Sequence, residues 1–223
     1  MKTVRLRLVS TLLLTTLCGA FAWPVDYPLA VADGADFSAL LQDPSEISFT
    51  VDTAPPASAS TASIGDLHAV YPVPIDALRR VVTDYNSYPE FSPRVSRSQA
   101  TRIGEQPSTW RQRLTLSFRV LFFGSDYDYY LEVVEQPLGP DRFAICYRME
   151  ESLDGQLSDV AGSWFLQAVE IDGEEHTYVR YFNSIYFAQD QFGLRVALRN
   201  LGARDLKMAM DAFYQEAERR MRE

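Results

Sequence analysis

The segment from His68 to Val95, HAVYPVPIDALRRVVTDYNSYPEFSPRV, contains three structural patterns within 28 residues. It begins with β-branched and aromatic residues typical of a strand, which stop at two prolines. A helix is predicted next, because Pro74 stands at a first turn, where a missing N–H is harmless. The apolar face of this helix carries Ile75, Leu78, Val81, Val82 and Tyr85. An aromatic, proline-bounded corner, Tyr88–Pro93, follows. These patterns ahead of many strands predict a sheet that wraps around a helix and encloses a cavity.

The rest of the chain predicts an antiparallel sheet. Apolar stretches bounded by turn residues give two strands before the helix and six after it. Their predicted bounds are Ile47–Asp52, Ser63–Val73, Val95–Ile103, Thr109–Val120, Asp126–Glu135, Arg142–Glu150, Gly162–Ile171 and Thr177–Phe187. Short turn signals, such as Gln136–Asp141 and Asp172–Glu175, favour a meander of antiparallel pairs.

A long helix is predicted at the C-terminus, over Phe192–Arg222. Its apolar residues recur at helical spacing and form one stripe. The stripe consists of Leu206, Met210, Phe213, Tyr214, Ala217 and Met221. Gly202 is predicted to break or kink the helix ahead of this stripe. The fold class is therefore predicted as α+β, with a curved antiparallel sheet against a long C-terminal helix.

The first 22 residues predict a secretory signal peptide. A basic start precedes the apolar stretch Leu8–Leu17, and Ala20–Ala22 fits a cleavage site. The apolar stretch is shorter than the roughly 20 residues that a membrane-spanning helix needs. An uncleaved anchor is the alternative. We expect an exported protein, periplasmic or secreted, in which residues 23–45 form an N-terminal arm with a short helix at Phe37–Leu41, and residues 46–223 form one domain.

The mature chain is predicted to be strongly acidic. The leader contains three basic residues and no acidic residue, so its removal changes the formal net charge from −9 to −12. This charge repels phosphate backbones and anionic lipid, so we expect no nucleic-acid partner and no attraction to membranes through bulk charge. Phe122 and Phe123 leave three alternatives open, since they could belong to the core, gate a cavity or make a transient membrane contact.

No residue pattern singles out a catalytic residue, and we expect neither a metal centre nor a cofactor. Cys146 is the one thiol outside the leader, and its apolar strand predicts an inert, buried side chain. The two histidines lack the spacing of metal ligands. His68 lies within a predicted strand, whereas His176 stands beside two glutamates at a predicted turn and is expected to be solvated. The carboxylates of Glu150, Glu151 and Asp154 are expected in a solvated loop.

Strand alternation and helical spacing select the residues that face the interior. Ten of them are the candidate ligand contacts: Trp110, Gln112, Leu114, Tyr129, Tyr147, Trp164, Tyr181, Asn183, Met210 and Phe213. Packing in a filled core is the alternative for each. Gln112, Asn183 and the tyrosine hydroxyls are the most informative, because a buried polar group needs a partner in the protein, a ligand or water.

Three features together resemble the START-like superfamily, also called SRPBCC or Bet v 1-like, which includes polyketide cyclases and coenzyme Q-binding START proteins. They are YPVPIDALRRVVTDYNSYPEFSPRV, GSWFLQAVEIDGEEHTYVRYF and the terminal amphipathic helix, and the resemblance covers about residues 46–223. The resemblance implies a helix-grip fold, in which a curved sheet grips the C-terminal helix around an apolar cavity. Most members bind lipids, sterols, quinones or other hydrophobic molecules, and a minority are enzymes. No catalytic motif carries over.

These observations lead to three functional hypotheses. The first is an exported domain that binds or carries a hydrophobic small molecule of the lipid class. The second is an enzyme of the cyclase or dehydratase type that uses tyrosine hydroxyls or a carboxylate in the same cavity. The third is an interaction module whose interior is filled.

Overall fold

The computed structural model of the protein describes residues 27–43, 46–52, 59–120, 123–189, 191 and 193–223. Its strands are β1 (Glu46–Asp52), β2 (Thr61–Tyr71), β3 (Val95–Glu105), β4 (Ser108–Val120), β5 (Phe123–Gly139), β6 (Arg142–Ser152), β7 (Leu157–Ile171) and β8 (Glu174–Phe187). Its helices are α1 (Phe37–Gln42), α2 (Ile75–Val82), α3 (Tyr88–Phe91) and α4 (Leu194–Arg222), with a 3-10 turn at Tyr85–Ser87. The predicted leader and Phe122 lie outside the described residues, as does the side chain of Phe123.

The eight strands form one antiparallel sheet in the spatial order β1-β2-β8-β7-β6-β5-β4-β3. Six strands follow the chain order as a meander, and β2 joins them by pairing with β8 along its whole length, from Thr61 opposite Phe187 to Tyr71 opposite Thr177. The long helix α4 packs on β1, β2 and α2. The predicted α+β helix-grip fold and its eight strands are confirmed.

Several strands are longer than predicted because their partners continue the ladder. β5 extends through the first four of the six residues of the predicted turn Gln136–Asp141, and Pro137 pairs with Phe143 next to a register shift. Proline is tolerated at such an irregularity because the regular hydrogen bonds between the two strands are already interrupted there, so its missing N–H costs none of them. β6 extends to Ser152, so Glu150 and Glu151 are exposed as expected but lie in a strand rather than a loop.

The prediction that His176 is solvated is wrong. β8 begins at Glu174, three residues earlier than predicted, so His176 lies in the ladder opposite Val169 and is only 5% exposed. Its Nδ1 lies 2.9 Å from the backbone oxygen of Glu174. The predicted burial of Cys146 is confirmed, and this burial raises the pKa of the thiol to about 12.

The helix α4 is continuous across Gly202, so the predicted break is wrong. A Cβ at Gly202 would collide with the ring of Phe49 on β1, and the glycine therefore serves close packing between helix and strand. The apolar stripe is buried as predicted at Met210, Phe213 and Ala217. Met221, its last predicted member, is 50% exposed because it lies in the final turn, beyond the last buried residue.

The N-terminal arm lies on the outer face of the sheet. In α1, Leu40 is buried and Phe37 is partly buried, and both pack in an apolar cluster with Val70, Phe165 and Tyr178, whose side chains point away from α4. The backbone N–H of Ala32 donates to the Tyr178 hydroxyl at 2.9 Å. The helix predicted at Phe37–Leu41 is present and ends one residue later. The sheet is thus covered by apolar contacts on both faces at its centre.

The C-terminal end of α4 is held by buried charge. Glu216 is 7% exposed and accepts hydrogen bonds from Arg219 and Arg220. Arg220 also donates to Asp84, which follows α2, at 2.8 Å. Hydrogen bonds from Arg219 and then from Arg220 lower the pKa of Glu216 to about 2, against the opposing effect of burial. No helix among the described residues has the length and apolar character that would let it cross a membrane.

Replacing Leu40 with alanine tests the contribution of the arm. The change removes a buried side chain from the outer apolar cluster, and we expect the free energy of unfolding to fall by about 2–3 kcal/mol. Urea denaturation measures this value. The control is Gln42→Ala, which alters an exposed residue of the same helix and should leave the stability within about 0.5 kcal/mol. Equal stability of Leu40→Ala and wild type would show that the arm contributes nothing to the fold.

Replacing Glu216 with glutamine tests the ionic anchor of α4. The folded-state pKa lies below the usual value of 4.5, so the carboxylate stabilises the fold fully above that value and its contribution is lost as the pH falls towards about 2. We expect Glu216→Gln to lower the free energy of unfolding at neutral pH and to flatten its dependence on pH between those two values. Denaturation at a series of pH values measures both effects.

The matched control for this experiment is Glu105→Gln, which changes an exposed carboxylate at the end of β3. This variant should follow the wild-type curve. A Glu216→Gln variant that keeps the wild-type slope over the acid range would contradict the assignment of that slope to Glu216.

Candidate ligand-binding cavity

A cavity of about 160 Å³ lies between the inner face of the sheet and α4. Its wall is mainly apolar and comes from all eight strands together with α4, the 3-10 turn and the corner before β3. Eight of the ten predicted contact residues border it: Gln112, Leu114, Tyr129, Tyr147, Trp164, Tyr181, Asn183 and Phe213. Whether these residues contact a ligand stays a prediction.

The other two predicted residues, Trp110 and Met210, are not part of the wall. Trp110 packs against Tyr85, with 5.5 Å between ring centroids, and its Nε1 donates to Ser108. Met210 is 1% exposed and packed in the core between helix and sheet. Both side chains face inward as predicted. Alternation determines the face of a residue, but the depth of packing decides whether it reaches the cavity.

An aromatic cluster joins α4 to the sheet at the cavity. Trp164 stacks on Tyr181, with 4.3 Å between ring centroids, and lies 4.9 Å from the ring of Phe213 on α4. Tyr88 and Phe91, from the predicted corner, meet Phe213 edge to face at 5.0 and 5.1 Å. Such pairs add to the stabilisation from area burial alone. Phe213 therefore closes the cavity from the helix side.

Four polar residues lie together in the wall, and we call them the tyrosine floor: Tyr129, Tyr147, Tyr181 and Asn183. Three of them, Tyr147, Tyr181 and Asn183, are linked by hydrogen bonds. The Tyr147 hydroxyl lies 3.1 Å from Asn183 Oδ1 and 3.3 Å from the Tyr181 hydroxyl. Gly162 on β7 makes room for this arrangement, because a Cβ there would collide with the Tyr147 hydroxyl and with the backbone oxygen of Phe182. Asn183 therefore has a hydrogen-bond partner within the protein, as expected if it is a core residue rather than a ligand contact.

Gln112 is engaged in the same way. Its Nε2 donates to Ser98 Oγ at 2.8 Å, and the Ser98 hydroxyl donates in turn to the backbone oxygen of Tyr85. This chain of bonds ties β4 and β3 to the 3-10 turn beside the predicted corner. The side-chain amide of Gln112 thus stabilises the packing of these elements, although the residue borders the cavity.

The tyrosines of the floor are neutral hydrogen-bonding groups. Burial raises the pKa of Tyr129, of Tyr147 and of Tyr181, because a phenolate would lose its hydration in this apolar surrounding. All three therefore keep their protons at neutral pH. They can donate hydrogen bonds, and they are poorly suited to act as bases.

Two charged residues at the cavity escaped the sequence analysis. Arg94, which follows Pro93 in the corner before β3, donates from Nη2 to both carboxylate oxygens of Asp205 on α4, each at 2.9 Å. Both residues border the cavity. The sequence did contain evidence that Asp205 faces the cavity. It lies three residues after Gly202 and eight before Phe213, so all three residues fall on one face of the helix. A polar residue on an otherwise apolar face is easily assigned to solvent.

The cavity is small for a lipid. A cavity of about 150 Å³ lined by apolar side chains holds one benzene molecule, and pockets that enclose drug-sized ligands measure roughly 300–1,000 Å³. At about 160 Å³, the present cavity accommodates one ring or a short chain. A whole lipid would require α4 and the wall residues to move outward.

Comparison with protein families gives one match, over residues 71–214, to the family described as polyketide cyclase / dehydrase and lipid transport. The chain belongs to this family. The predicted membership of the START-like superfamily is thereby confirmed, and the domain is START-like with an apolar cavity. Comparison with curated protein sequences gives no match.

Solved structures with the same fold include lipid-transfer proteins and an aromatase/cyclase. Human StAR-related lipid transfer protein 5 is 9% identical with a TM-score of 0.57, covering 78% of this chain and 86% of its own. A STAR-related lipid transfer protein from Xanthomonas axonopodis is 12% identical with a TM-score of 0.55, covering 77% and 93%. The ZhuI aromatase/cyclase from Streptomyces sp. R1128 is 19% identical with a TM-score of 0.54, covering 72% and 96%. At such identities the likeness establishes the fold alone.

Replacing Gly162 with alanine tests the packing beneath the tyrosine floor of this START-like domain. The added methyl group must displace Tyr147 or the backbone of β8, and we expect the free energy of unfolding to fall by about 1–3 kcal/mol. Near-ultraviolet circular dichroism should report a changed tyrosine environment. The control is Gly104→Ala on β3, where the nearest atom would be 3.2 Å from the new Cβ. Gly162→Ala as stable as Gly104→Ala would refute the close contact.

Proposed function

We propose that this START-like domain binds and carries a hydrophobic small molecule of the lipid class, and that it does so outside the cytoplasm. The observation that carries the proposal is the apolar cavity enclosed between the sheet and α4, walled by Trp164, Leu131 and Phe213 among others. Removing apolar ligand surface from water contributes roughly 25 cal/mol per Å² of buried area. The proposed mechanism is therefore sequestration.

Loading requires the domain to open. The cavity fits only part of a lipid in the described conformation, so α4 and the corner Tyr88–Pro93 must separate to admit a longer molecule. The contacts that oppose this motion are the aromatic cluster around Phe213 and the ion pair of Arg94 with Asp205. The open conformation would be populated only in the loaded domain, because only the contacts with the ligand compensate for the loss of these contacts within the protein.

The location and the partners rest on the sequence and the surface. The signal-like first 22 residues support export, and the acidic net charge disfavours nucleic acid as a partner. On α4, Val196 is 63% exposed and precedes the exposed Arg199 by one helical turn. An apolar and a basic side chain on one turn suit a transient contact with a membrane from which a lipid is taken.

Ligand capture is tested by native mass spectrometry of the protein purified from its own host, followed by solvent extraction. We expect a co-purifying hydrophobic molecule in the wild type and its loss in Ala209→Phe, because Ala209 borders the cavity and an added ring would fill a space of about 160 Å³. The control is Ala203→Phe, on the same helix but away from the cavity wall. A wild-type protein that carries nothing and takes up no added lipid would refute the proposal.

A cyclase or dehydratase acting in the same cavity is the second candidate, and one observation favours it. Arg94 and Asp205 place a cation and a carboxylate at the cavity wall, and Arg94 Nε is buried without a hydrogen-bond partner among the described residues. The same extraction separates the two functions when it is repeated on Asp205→Asn. An enzyme would retain unreacted substrate in this variant, and the extracted mass would differ from that of the wild type. A carrier would give the same mass in both.

A further inference from the structure

A second, smaller cavity lies next to the first one, along the N-terminal half of α4. Its volume is about 30 Å³. A water-sized group needs roughly 10–15 Å³ of such space, so the second cavity holds about two carbon atoms. Three aromatic rings form one side of its wall and α4 forms the other, and the residues are Phe118, Tyr127, Phe187, Leu194, Ala197, Leu198, Leu201, Gly202 and Asp205.

The wall of the second cavity suits hydrocarbon. Its three rings meet edge to face, with 5.7 and 5.5 Å between the centroids of neighbouring rings. The two polar groups of the wall have partners in the protein. The Tyr127 hydroxyl donates to Gln191 at 3.1 Å, and the Asp205 carboxylate accepts from Arg94. A buried water is held by about two to four polar partners, and an otherwise apolar wall favours apolar atoms instead.

Four residues border both cavities and form the partition between them: Phe118, Leu198, Gly202 and Asp205. Arg94 fixes two sides of this partition. Its guanidinium group donates to both carboxylate oxygens of Asp205, and its Cζ lies 5.6 Å from the centroid of the Phe118 ring. Gly202 contributes only backbone. Leu198 is the remaining member, and its branched aliphatic side chain fills the partition between these groups.

Leu198 can move or be shortened without disturbing the groups that Arg94 fixes. It is a buried residue of the core between helix and sheet. A change of its side-chain rotamer would join the two spaces while the ion pair of Arg94 with Asp205 stays closed. This route lengthens the cavity without the separation of α4 from the corner that a whole lipid requires.

We propose that Leu198 limits the length of the apolar ligand, because its side chain closes the main cavity towards the second one. The limit rests on the proposed function, since it concerns the ligand of the same cavity. The main cavity takes one ring or a short chain, and a longer unbranched chain meets Leu198. When this side chain turns aside, the end of the chain enters the second cavity, between α4 and the rings of Phe118 and Tyr127.

The test uses a series of alkylbenzenes from ethylbenzene to pentylbenzene, which differ only in the number of methylene groups. Dissociation constants are measured by calorimetry with the protein as titrant, since the longer members dissolve poorly. Each buried methylene strengthens binding about 4-fold. In the wild type we expect this gain to stop within the series.

In Leu198→Ala the gain should continue for about two further methylenes. The ratio of the ethylbenzene to the pentylbenzene dissociation constant should therefore exceed the wild-type ratio by more than about 10-fold. The ratio is informative because a general loosening of the core affects both probes. Leu198→Val removes one carbon and keeps most of the packing, so it should shift the ratio in the same direction by less, and it serves if Leu198→Ala does not fold.

The matched control is Leu201→Ala, the same substitution on the same helix. Leu201 borders the second cavity but not the first, so this change enlarges the second cavity behind an intact partition. The control should keep the wild-type ratio. Ala197→Val provides the reverse test, since Ala197 borders only the second cavity and the added carbons fill it. Combined with Leu198→Ala, it should return the ratio towards the wild-type value.

Nuclear Overhauser effects give a direct readout of the path of the chain. The terminal methyl group of pentylbenzene should contact the Tyr127 ring in Leu198→Ala and not in the wild type. If no member of the series binds the wild type or Leu198→Ala, the proposed carrier function itself fails and the length limit with it. If the series binds, and both Leu198 variants keep the wild-type ratio or Leu201→Ala raises it equally, the length limit is refuted while the carrier function stands.

Discussion

The packing of α4 against the inner face of the sheet is the contact on which the rest of the structure depends. A curved eight-stranded sheet with an apolar inner face cannot remain exposed to water, and α4 provides the only long apolar stripe among the described residues that is available to cover it. Phe213 lies at the centre of this contact, against Trp164, Tyr88 and Phe91. The cavity is the space between the curved sheet and α4 that their side chains do not fill.

Both faces of the sheet are covered at its centre, whereas an antiparallel sheet commonly has one face exposed to solvent. The arm before β1 accounts for this, because α1 and the residues ahead of it lie over Val70, Phe165 and Tyr178. A sheet packed on both sides deforms less readily than one with a free face. Opening of the cavity is therefore expected to come from α4 and the corner before β3, while the sheet acts as the rigid part.

The sequence predicted the fold well because periodicity and turn residues carry most of that information. All eight strands and the terminal helix follow from alternation and helical spacing, and eight of the ten proposed contacts border the cavity for the same reason. Trp110 and Met210 do not, since a sequence pattern gives the face of a residue but not the distance to a void. Gly202 was misjudged because glycine weakens an isolated helix, whereas here it admits the Phe49 ring.

The sequence also contained evidence that the outer face of the sheet is covered. The run VAGSWFL in β7 is apolar without alternation, which is typical of a strand buried on both sides. The ion pair of Arg94 and Asp205 had only a weak signal, because charged residues are assigned to solvent unless their partner is known. Its two halves lie far apart in the chain, and only the folded structure brings them together.

The pairing of β2 with β8 has a consequence for how the protein is made. Thr61 on β2 lies opposite Phe187 on β8, so β2 meets this second neighbour only after β3 to β7 have been synthesised. Closing so long a loop costs entropy that early contacts cannot offset, which slows folding. The interior can therefore close only after β8 and α4 have been made, and a ligand can be enclosed only from that point on.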